Sequence, residues 1–320
     1  FLILFLLIES LNFNAYGEIR KLDDQVNFLS KGKLTEEFPL ATNINGSLFF
    51  TFGGLYRSSS KESAHFTYEN KIRLNKSFTG LDNLLAIIES GNAIDSTLNL
   101  DLQSKKGNNP KISTLVYQFP ISDELEATIG PKMFGYNGLA GKSTLYNERI
   151  AILDGSNFTT SSGLGPGIGI SKRKKNGFNS SIKVGSNSTE INNESKHFIT
   201  QIGLTKKYFG GTITSNINNQ FNAHGLAAYF KYQKLPSLSA SFEQKKGKLV
   251  KRTNNWIIAM QKTFHNNNIG IAIGTYNDEE NIAYEVWSEI DIADKFKLIP
   301  ILFKRENHKS GKDLGYAINT

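Results

Sequence analysis

The residues whose types and spacing could support chemistry form only incomplete motifs. The stretch GLAGKST, residues 138–144, resembles the end of a phosphate-binding loop, in which backbone amides and a lysine cradle phosphate groups. That loop also requires a glycine five positions before Gly141, and this position is Tyr136. The phosphate cradle is therefore incomplete, and the sequence does not predict a nucleotide-binding site.

The remaining candidate residues for catalysis or metal binding are also isolated. The glycines of GLGPGIGI, residues 163–170, alternate at a period of two, which suits a strand facing a crowded interior better than a dinucleotide-binding turn. No nucleophile with a matching base can be recognised, and the chain has no cysteine. None of the five histidines has ligand spacing. They are His65, His197, His224, His265 and His308. We expect no enzymatic activity, no metal and no cofactor.

Charged residues instead follow the two-residue period of β-strands. Residues 68–76, YENKIRLNK, place apolar side chains in one register and charged side chains in the other. Successive side chains of a strand point to opposite faces. A charge that faces lipid costs about 2–4 kcal/mol at the bilayer midplane. In a membrane strand the charged register would therefore face water inside a barrel.

The same alternation in other strand-like runs supplies further candidates for the inner wall of a pore. The candidate pore-lining residues are Glu69, Lys71, Arg73, Lys132, Lys183, Tyr229, Lys231, Glu243 and Glu285. So many inward charges indicate a lumen filled with water. Basic residues slightly outnumber acidic ones on this predicted wall, so we expect a preference for anions.

The elements that must position these residues are short strands. From residue 44 onward we find about sixteen strand-like runs and almost no helical periodicity. Short connections alternate with long polar ones, and aromatic residues lie close to the short ones. This asymmetry is typical of an antiparallel transmembrane β-barrel with short periplasmic turns, long outer loops and aromatic girdles. The 37 basic and 29 acidic residues are spread along the chain, which disfavours nucleic-acid binding.

The first 43 residues differ from the rest. The apolar run FLILFLLI is too short to span a bilayer as a helix, and Ala15 and Gly17 have the spacing of a cleavage site. We interpret residues 1–17 as the remnant of a signal peptide, residues 18–43 as a periplasmic linker or short helix, and residues 44–320 as the barrel. A buried apolar helix is the alternative for the first segment.

One long connection, residues 134–162, combines charged and apolar side chains. A purely exposed loop does not need its leucines and isoleucines, so we expect this third long loop to fold into the lumen and narrow it. The candidate constriction residues are Lys142, Glu148, Arg149 and Asp154. The alternative is a surface loop with a small local cluster.

Three stretches resemble a known family: KIRLNKSFTGLDNLLAIIESGN, VYQFPISDELEATIGPK and GLGPGIGISKRKKNGF. They are similar to the carbohydrate-selective (OprB-type) porins, and in particular to cyanobacterial members that are often described as iron-uptake porins. The resemblance covers about residues 45–320. It implies a sixteen-stranded, trimeric pore in the outer membrane whose third loop constricts the channel.

The sequence departs from this family pattern at both ends. Cyanobacterial members usually carry a peptidoglycan-binding domain and a coiled coil before the barrel, and residues 18–43 are too short for either. The final residues, DLGYAINT, lack the aromatic end that outer-membrane barrels tend to have, so we expect the C-terminal end to be truncated.

The resulting expectation is an outer-membrane porin for passive diffusion of small hydrophilic solutes, such as carbohydrates, inorganic ions or other nutrients. Outer-membrane lipid and further copies of the chain would be its partners. The alternative is a secreted β-protein without a pore that binds a ligand or surface partner through its long loops.

Overall fold

The computed structural model describes most of the chain after residue 41. The described residues are 42–57, 64–96, 98–141, 144–150, 153, 159–160, 165–186, 196–232, 235–247, 252–265, 267–276, 278–307 and 311–320. Within these ranges, no helix has the length and apolar character needed to cross a membrane. The predicted signal segment and nearly all of the predicted linker lie outside the described residues.

Sixteen strands make up the regular structure of the described residues. They are β1 (Thr42–Arg57), β2 (His65–Lys76), β3 (Asn83–Gly91), β4 (Gly107–Pro120), β5 (Leu125–Met133), β6 (Gly165–Lys172), β7 (Gly177–Ser186), β8 (Lys196–Thr205), β9 (Phe209–Asn218), β10 (Phe221–Phe230), β11 (Ser237–Gly247), β12 (Thr253–Phe264), β13 (Asn267–Tyr276), β14 (Asp278–Ala293), β15 (Phe296–Asn307) and β16 (Gly311–Asn319). Each strand pairs with its sequence neighbours, and β16 pairs antiparallel with β1 to close a barrel. The predicted fold class is confirmed.

The two faces of the barrel wall differ because side chains alternate along each strand. Paired positions on neighbouring strands share a face, so Ile213, Leu226 and Phe242 form one outward row, and all three are exposed. The intervening Thr214 and Glu243 point inward and are buried. The outward face therefore presents an apolar belt, whereas many inward positions are polar.

Short turns join strands at one end of the barrel, and exposed aromatic residues surround that end. The aromatic residues are Phe78, Phe119, Phe178, Tyr208, Phe209, Tyr232, Phe264 and Phe296. Three lysines extend over these rings, with Nζ-to-centre distances of 5.6 Å for Lys76 and Phe78, 5.0 Å for Lys207 and Tyr208, and 4.5 Å for Lys262 and Phe264. An apolar ring with a polar or charged tip suits a membrane interface.

The opposite end is less regular than the sequence predicts. The segment NNQFNA was expected to be a long loop, but β9 ends at Asn218 and β10 begins at Phe221. The Asn218 side-chain oxygen accepts the backbone N–H groups of Gln220 at 2.8 Å and Phe221 at 2.7 Å. These two bonds satisfy the backbone N–H groups of a tight turn, so both strands extend into the polar segment.

The first short turn, residues 77–82, is organised by a single carboxylate. Asp82 accepts hydrogen bonds from the Ser77 hydroxyl, from the Phe78 amide, from both the amide and the hydroxyl of Thr79, and from the Tyr117 hydroxyl. Burial alone would raise the pKa of Asp82. The bonds from Tyr117, Thr79 and Ser77 outweigh burial and hold this pKa well below its usual value.

We predict that Asp82→Ala destabilises the barrel by about 1–3 kcal/mol, because several partly buried donors of the turn lose their shared acceptor. A carboxylate with a depressed folded-state pKa stabilises the protein above its ordinary pKa, and this contribution is lost as the pH falls through the folded value. Urea unfolding in lipid vesicles at neutral and acidic pH measures both effects. The variant should lack part of the acid destabilisation of the parent protein. The exposed Asp123 provides the control, and equal losses in Asp123→Ala would contradict the assignment.

Candidate functional site

The described residues of the third long loop, 134–141, 144–150, 153 and 159–160, follow the inner wall of the barrel. Its backbone amides donate to side chains on five strands that span about half of the barrel, from β7 to β14. These bonds are Ala140 N to Ser181 Oγ at 3.1 Å, Gly141 N to Gln201 Oε1 at 2.7 Å, Leu145 N to Ser239 Oγ at 3.1 Å, Asn147 N to Gln261 Oε1 at 3.2 Å and Ile150 N to Glu285 Oε2 at 2.7 Å. A loop can reach inward side chains of β7, β8, β11, β12 and β14 only from inside the barrel. The predicted inward fold is confirmed, and the alternative of a surface loop is wrong.

Glycines allow the loop to lie directly on the wall. A Cβ atom on Gly169 of β6 would lie 3.0 Å from the Cα of Gly138, which itself has a positive φ of 78°. Alternating glycines therefore keep the inner face of β6 free of side chains where the loop crosses it. This is the crowded interior that the glycine period predicts.

The far end of the loop is held by a buried cluster on β14. Glu285 accepts the amides of Arg149 and Ile150, with a shortest distance of 3.0 Å to Arg149 N. The Arg149 guanidinium lies 4.4 Å from the ring centre of Trp287 and pairs with Glu289 at 2.8 Å. These contacts combine charge-assisted hydrogen bonds with a cation–π interaction, so they fix one loop position.

Tyr146 completes this cluster from the loop side. Its hydroxyl accepts a hydrogen bond from Trp287 Nε1 at 2.9 Å. Burial raises the pKa of Tyr146, and the nearby Glu285 carboxylate raises it further. The phenol therefore stays neutral and serves as a packing and hydrogen-bonding group.

The second long loop, residues 92–106, also folds inward, which the sequence interpretation missed. Gln103 Nε2 donates to Thr67 Oγ1 at 3.0 Å, and Arg305 Nη1 donates to the carbonyl of Leu98 at 3.1 Å. The loop joins the third one where Asp101 N donates to Arg149 O at 2.9 Å. The alternating leucines at 98, 100 and 102 were a signal of burial within a segment that otherwise reads as polar.

The two loops fill part of the lumen with an apolar core. Its wall residues lie on β1 and β12 to β16, and its loop residues come from both inward-folded loops. The core comprises Leu55, Leu98, Leu100, Tyr146, Ile150, Leu153, Ile257, Ala259, Ala272, Ala283, Trp287, Ile299, Ile301, Phe303 and Ala317. The loop residues pack against the apolar inward side chains of these strands, which excludes water from that part of the lumen. Water can therefore fill only the remaining part of the lumen that the sequence predicts.

The inner wall beside this core, on β2 and β3, is polar. On β2, Lys71 pairs with Glu69 at 2.9 Å and with Glu89 of β3 at 3.4 Å, whereas Arg73 is exposed. Within the described part of the chain, the Arg73 side chain makes no hydrogen bond or ion pair. We call this part of the wall, with the lumen beside it, the polar side of the lumen.

Two aromatic residues of the third long loop face the polar side of the lumen. Phe134 and Tyr136 are exposed, and their ring centres lie 4.9 Å apart. Partial desolvation by the surrounding protein raises the pKa of Tyr136, although its ring is exposed to the lumen, while the positive charges of Lys71 and Arg73 act in the opposite direction. The aromatic pair and the basic pair are therefore close enough to interact electrostatically.

The predicted inward residues occupy different surroundings. Glu69, Lys71 and Arg73 lie together on β2. Lys183 is covered by the third loop, because its ammonium donates to the carbonyls of Phe134 at 2.8 Å and Gly135 at 3.0 Å. Glu243 and Glu285 are likewise buried beneath loop residues, and Glu243 accepts from the amide and hydroxyl of Thr159. These three buried residues anchor the loop and do not face water.

The other three predicted wall residues lie in three different parts of the barrel. Tyr229 lies near the turn end, where its ring covers the inner side of Gly210. Lys231 follows the end of β10 in a turn, and its amide donates to Tyr208 O at 2.6 Å. Lys132 pairs with Leu115 after a register shift between Gly130 and Met133, which places it on the outward side. A one-residue shift exchanges the faces of a strand.

The four candidate constriction residues are only partly placed. Arg149 is buried in the β14 cluster, and Glu148 is partly buried in the same loop. Lys142 and Asp154 lie outside the described residues. The structure therefore brings Arg149 to an anchoring position, and the exposed residues in the described part of the loop are Phe134, Tyr136 and Asn147.

We predict that Glu285→Leu detaches one end of the third loop without unfolding the barrel. Hydrogen exchange should accelerate at the amides of Arg149 and Ile150, because both lose their acceptor, and stay slow at Ala140 and Gly141. Hydrogen-exchange mass spectrometry measures this difference. The exposed turn residue Glu124 provides the matched control, Glu124→Leu. Unchanged exchange at Arg149 and Ile150 would show that Glu285 does not hold the loop.

Comparison with known proteins relates the chain to porins through its fold. No family model matches the chain, and no curated protein sequence matches it. The structure of Pseudomonas putida OprB at high pH is similar with a TM-score of 0.69 at 8% identity, covering 90% of this chain and 96% of that one. A triple mutant of Rhodopseudomonas blastica porin is similar with a TM-score of 0.53 at 10% identity, covering 88% and 100%. The chain shares the closed antiparallel barrel fold of these porins.

Proposed function

We propose that this protein is an outer-membrane channel for passive diffusion of small hydrophilic solutes. The observation that carries the proposal is the division of the lumen. An apolar core seals one side, while the other side carries exposed Arg73 beside the aromatic pair of the third loop. A solute on this path meets water, charge and two rings, and no bond is made or broken. The outward apolar belt and the similarity to porin structures support membrane insertion.

We also propose a specific class of porin for this chain. A carbohydrate-selective porin of cyanobacterial type fits the three stretches of resemblance and the similarity to OprB. Aromatic faces such as those of Phe134 and Tyr136 can stack on sugar rings, while Arg73 can hydrogen-bond to hydroxyl groups. A homotrimer and cleavage of residues 1–17 remain predictions of the same identification.

The alternative is a secreted β-protein that binds a partner through its long loops. The outward apolar belt disfavours this alternative, because a secreted protein would expose the belt to water. Extraction only with detergent and slower gel mobility after heating would support the barrel in a membrane. Release into the soluble fraction without detergent would favour the alternative.

We predict that the double change Phe134→Ala and Tyr136→Ala raises the single-channel conductance in planar bilayers. Both rings project into the polar side of the lumen, so removing them widens the path without touching the loop anchors. Phe178→Ala, at an exposed outward position near the short turns, provides the control. Unchanged conductance in the double variant would place the rings outside the conduction path.

We also predict a preference for anions that depends on Arg73. In a tenfold KCl gradient the reversal potential should have the anion sign, and Arg73→Glu should shift it toward the cation sign. Salt should weaken both effects, because charges in water are screened within about 8–10 Å at physiological ionic strength. Lys246→Glu on β11 makes the same charge change on the outward register and provides the control. A cation-signed potential in the parent protein would overturn the prediction.

A further inference from the structure

An apolar groove crosses the outward face of β4 to β7. Its volume is about 1020 Å³, at the upper end of the range of ligand pockets. Its floor includes Leu115, Ile129, Ile168 and Val184, and its loop-side end includes Lys196. The groove is therefore apolar along its length and carries a positive charge at one end.

A row of glycines explains why the wall is recessed here. Gly130, Gly167 and Gly185 pair directly across β5, β6 and β7. A Cβ atom on Gly167 would lie 3.1 Å from the sulfur of buried Met133, so the strand backbone rests closely on the interior. Pro131 and Pro166 line the groove beside this row, and the β5 register shift lies next to it. The recess follows from several residues and does not depend on one side-chain rotamer.

Lys132 adds a second positive charge at the rim. It follows Pro131 and pairs with Leu115, and both neighbours line the groove. Its ammonium donates to the carbonyl of Ile112 at 2.9 Å, which holds the side chain on the outer half of the wall. An ammonium group has three donors, so two remain for a further acceptor.

The wall is also short at this position. β5 has 9 residues, whereas β14 has 16. A strand needs about 9–11 residues to cross the hydrocarbon region. The head-group level therefore reaches the loop-side end of the groove, where Lys132 and Lys196 lie.

We propose that this groove binds an anionic membrane lipid, with its acyl chains on the apolar floor and a phosphate of its head group at the end marked by Lys132 and Lys196. The charge pattern favours a lipid over a second copy of the chain, because an amphiphile with one anionic end matches an apolar groove with one basic end. The proposal rests on membrane insertion of the barrel, but not on conduction through its lumen.

Native mass spectrometry of the detergent-solubilised full chain tests the proposal. Phosphatidylglycerol and phosphatidylcholine with identical acyl chains are the probes. We expect one phosphatidylglycerol to bind in preference to phosphatidylcholine. Lys132→Gln and Lys196→Gln should each weaken phosphatidylglycerol binding about five-fold, the effect expected for one lysine near an anionic head group. Equal binding of both lipids would overturn the head-group assignment.

Filling the groove provides an independent measurement. Ile168→Trp should abolish retention of both lipids, and Val184→Trp serves the same purpose if the first variant does not fold. Ile258→Trp on β12 and Lys246→Gln are the matched controls on other parts of the outward face. Full lipid retention in folded groove variants, or occupation of the groove by a second copy shown by crosslinking, would overturn the proposal. Normal conductance with no bound lipid would refute this site alone, whereas lipid binding without conductance would refute the proposed channel alone.

Discussion

Each strand of this barrel separates two surroundings, and the rest of the structure depends on that separation. Because side chains alternate across a strand, one register can carry an apolar belt while the other carries polar groups. Closure of β16 on β1 leaves no free edge, so the backbone of the wall is satisfied by its own ladder. The inner side chains are then free to serve as acceptors for whatever enters the lumen.

The second and third long loops of the same chain enter the lumen. Few backbone hydrogen bonds form within the described part of the third loop. Five of its backbone amides donate instead to the side chains of Ser181, Gln201, Ser239, Gln261 and Glu285. Buried amides without acceptors would cost free energy, so these wall residues determine where the loop lies. The second loop joins it at Arg149 and Ile150, and together they cover the apolar inner wall of β12 to β16. The asymmetry of the lumen is thus a consequence of which wall positions are apolar.

The strands could be predicted from the sequence because the two-residue period is a local property, as in residues 68–76. The inward fold of the third loop could be predicted because its apolar content is also a local property of the sequence. The position of Lys132 could not, because a register shift depends on how β5 meets its neighbours. Lys183 was placed on the correct face, but its burial depends on the carbonyls of Phe134 and Gly135, which are distant in sequence. The inward second loop was missed because its polar residues obscured three alternating leucines.

The central claim is that conduction follows the polar side of the lumen and avoids the apolar core. Single-channel recording of Arg73→Cys and Ala272→Cys, each treated with a bulky water-soluble thiol reagent, tests this claim most directly. Residue 73 is exposed on the polar side, whereas Ala272 is buried in the core. If conduction follows the polar side, the reagent reduces the current through Arg73→Cys and leaves the current through Ala272→Cys unchanged. Equal block of both variants, or block of Ala272→Cys alone, would contradict it.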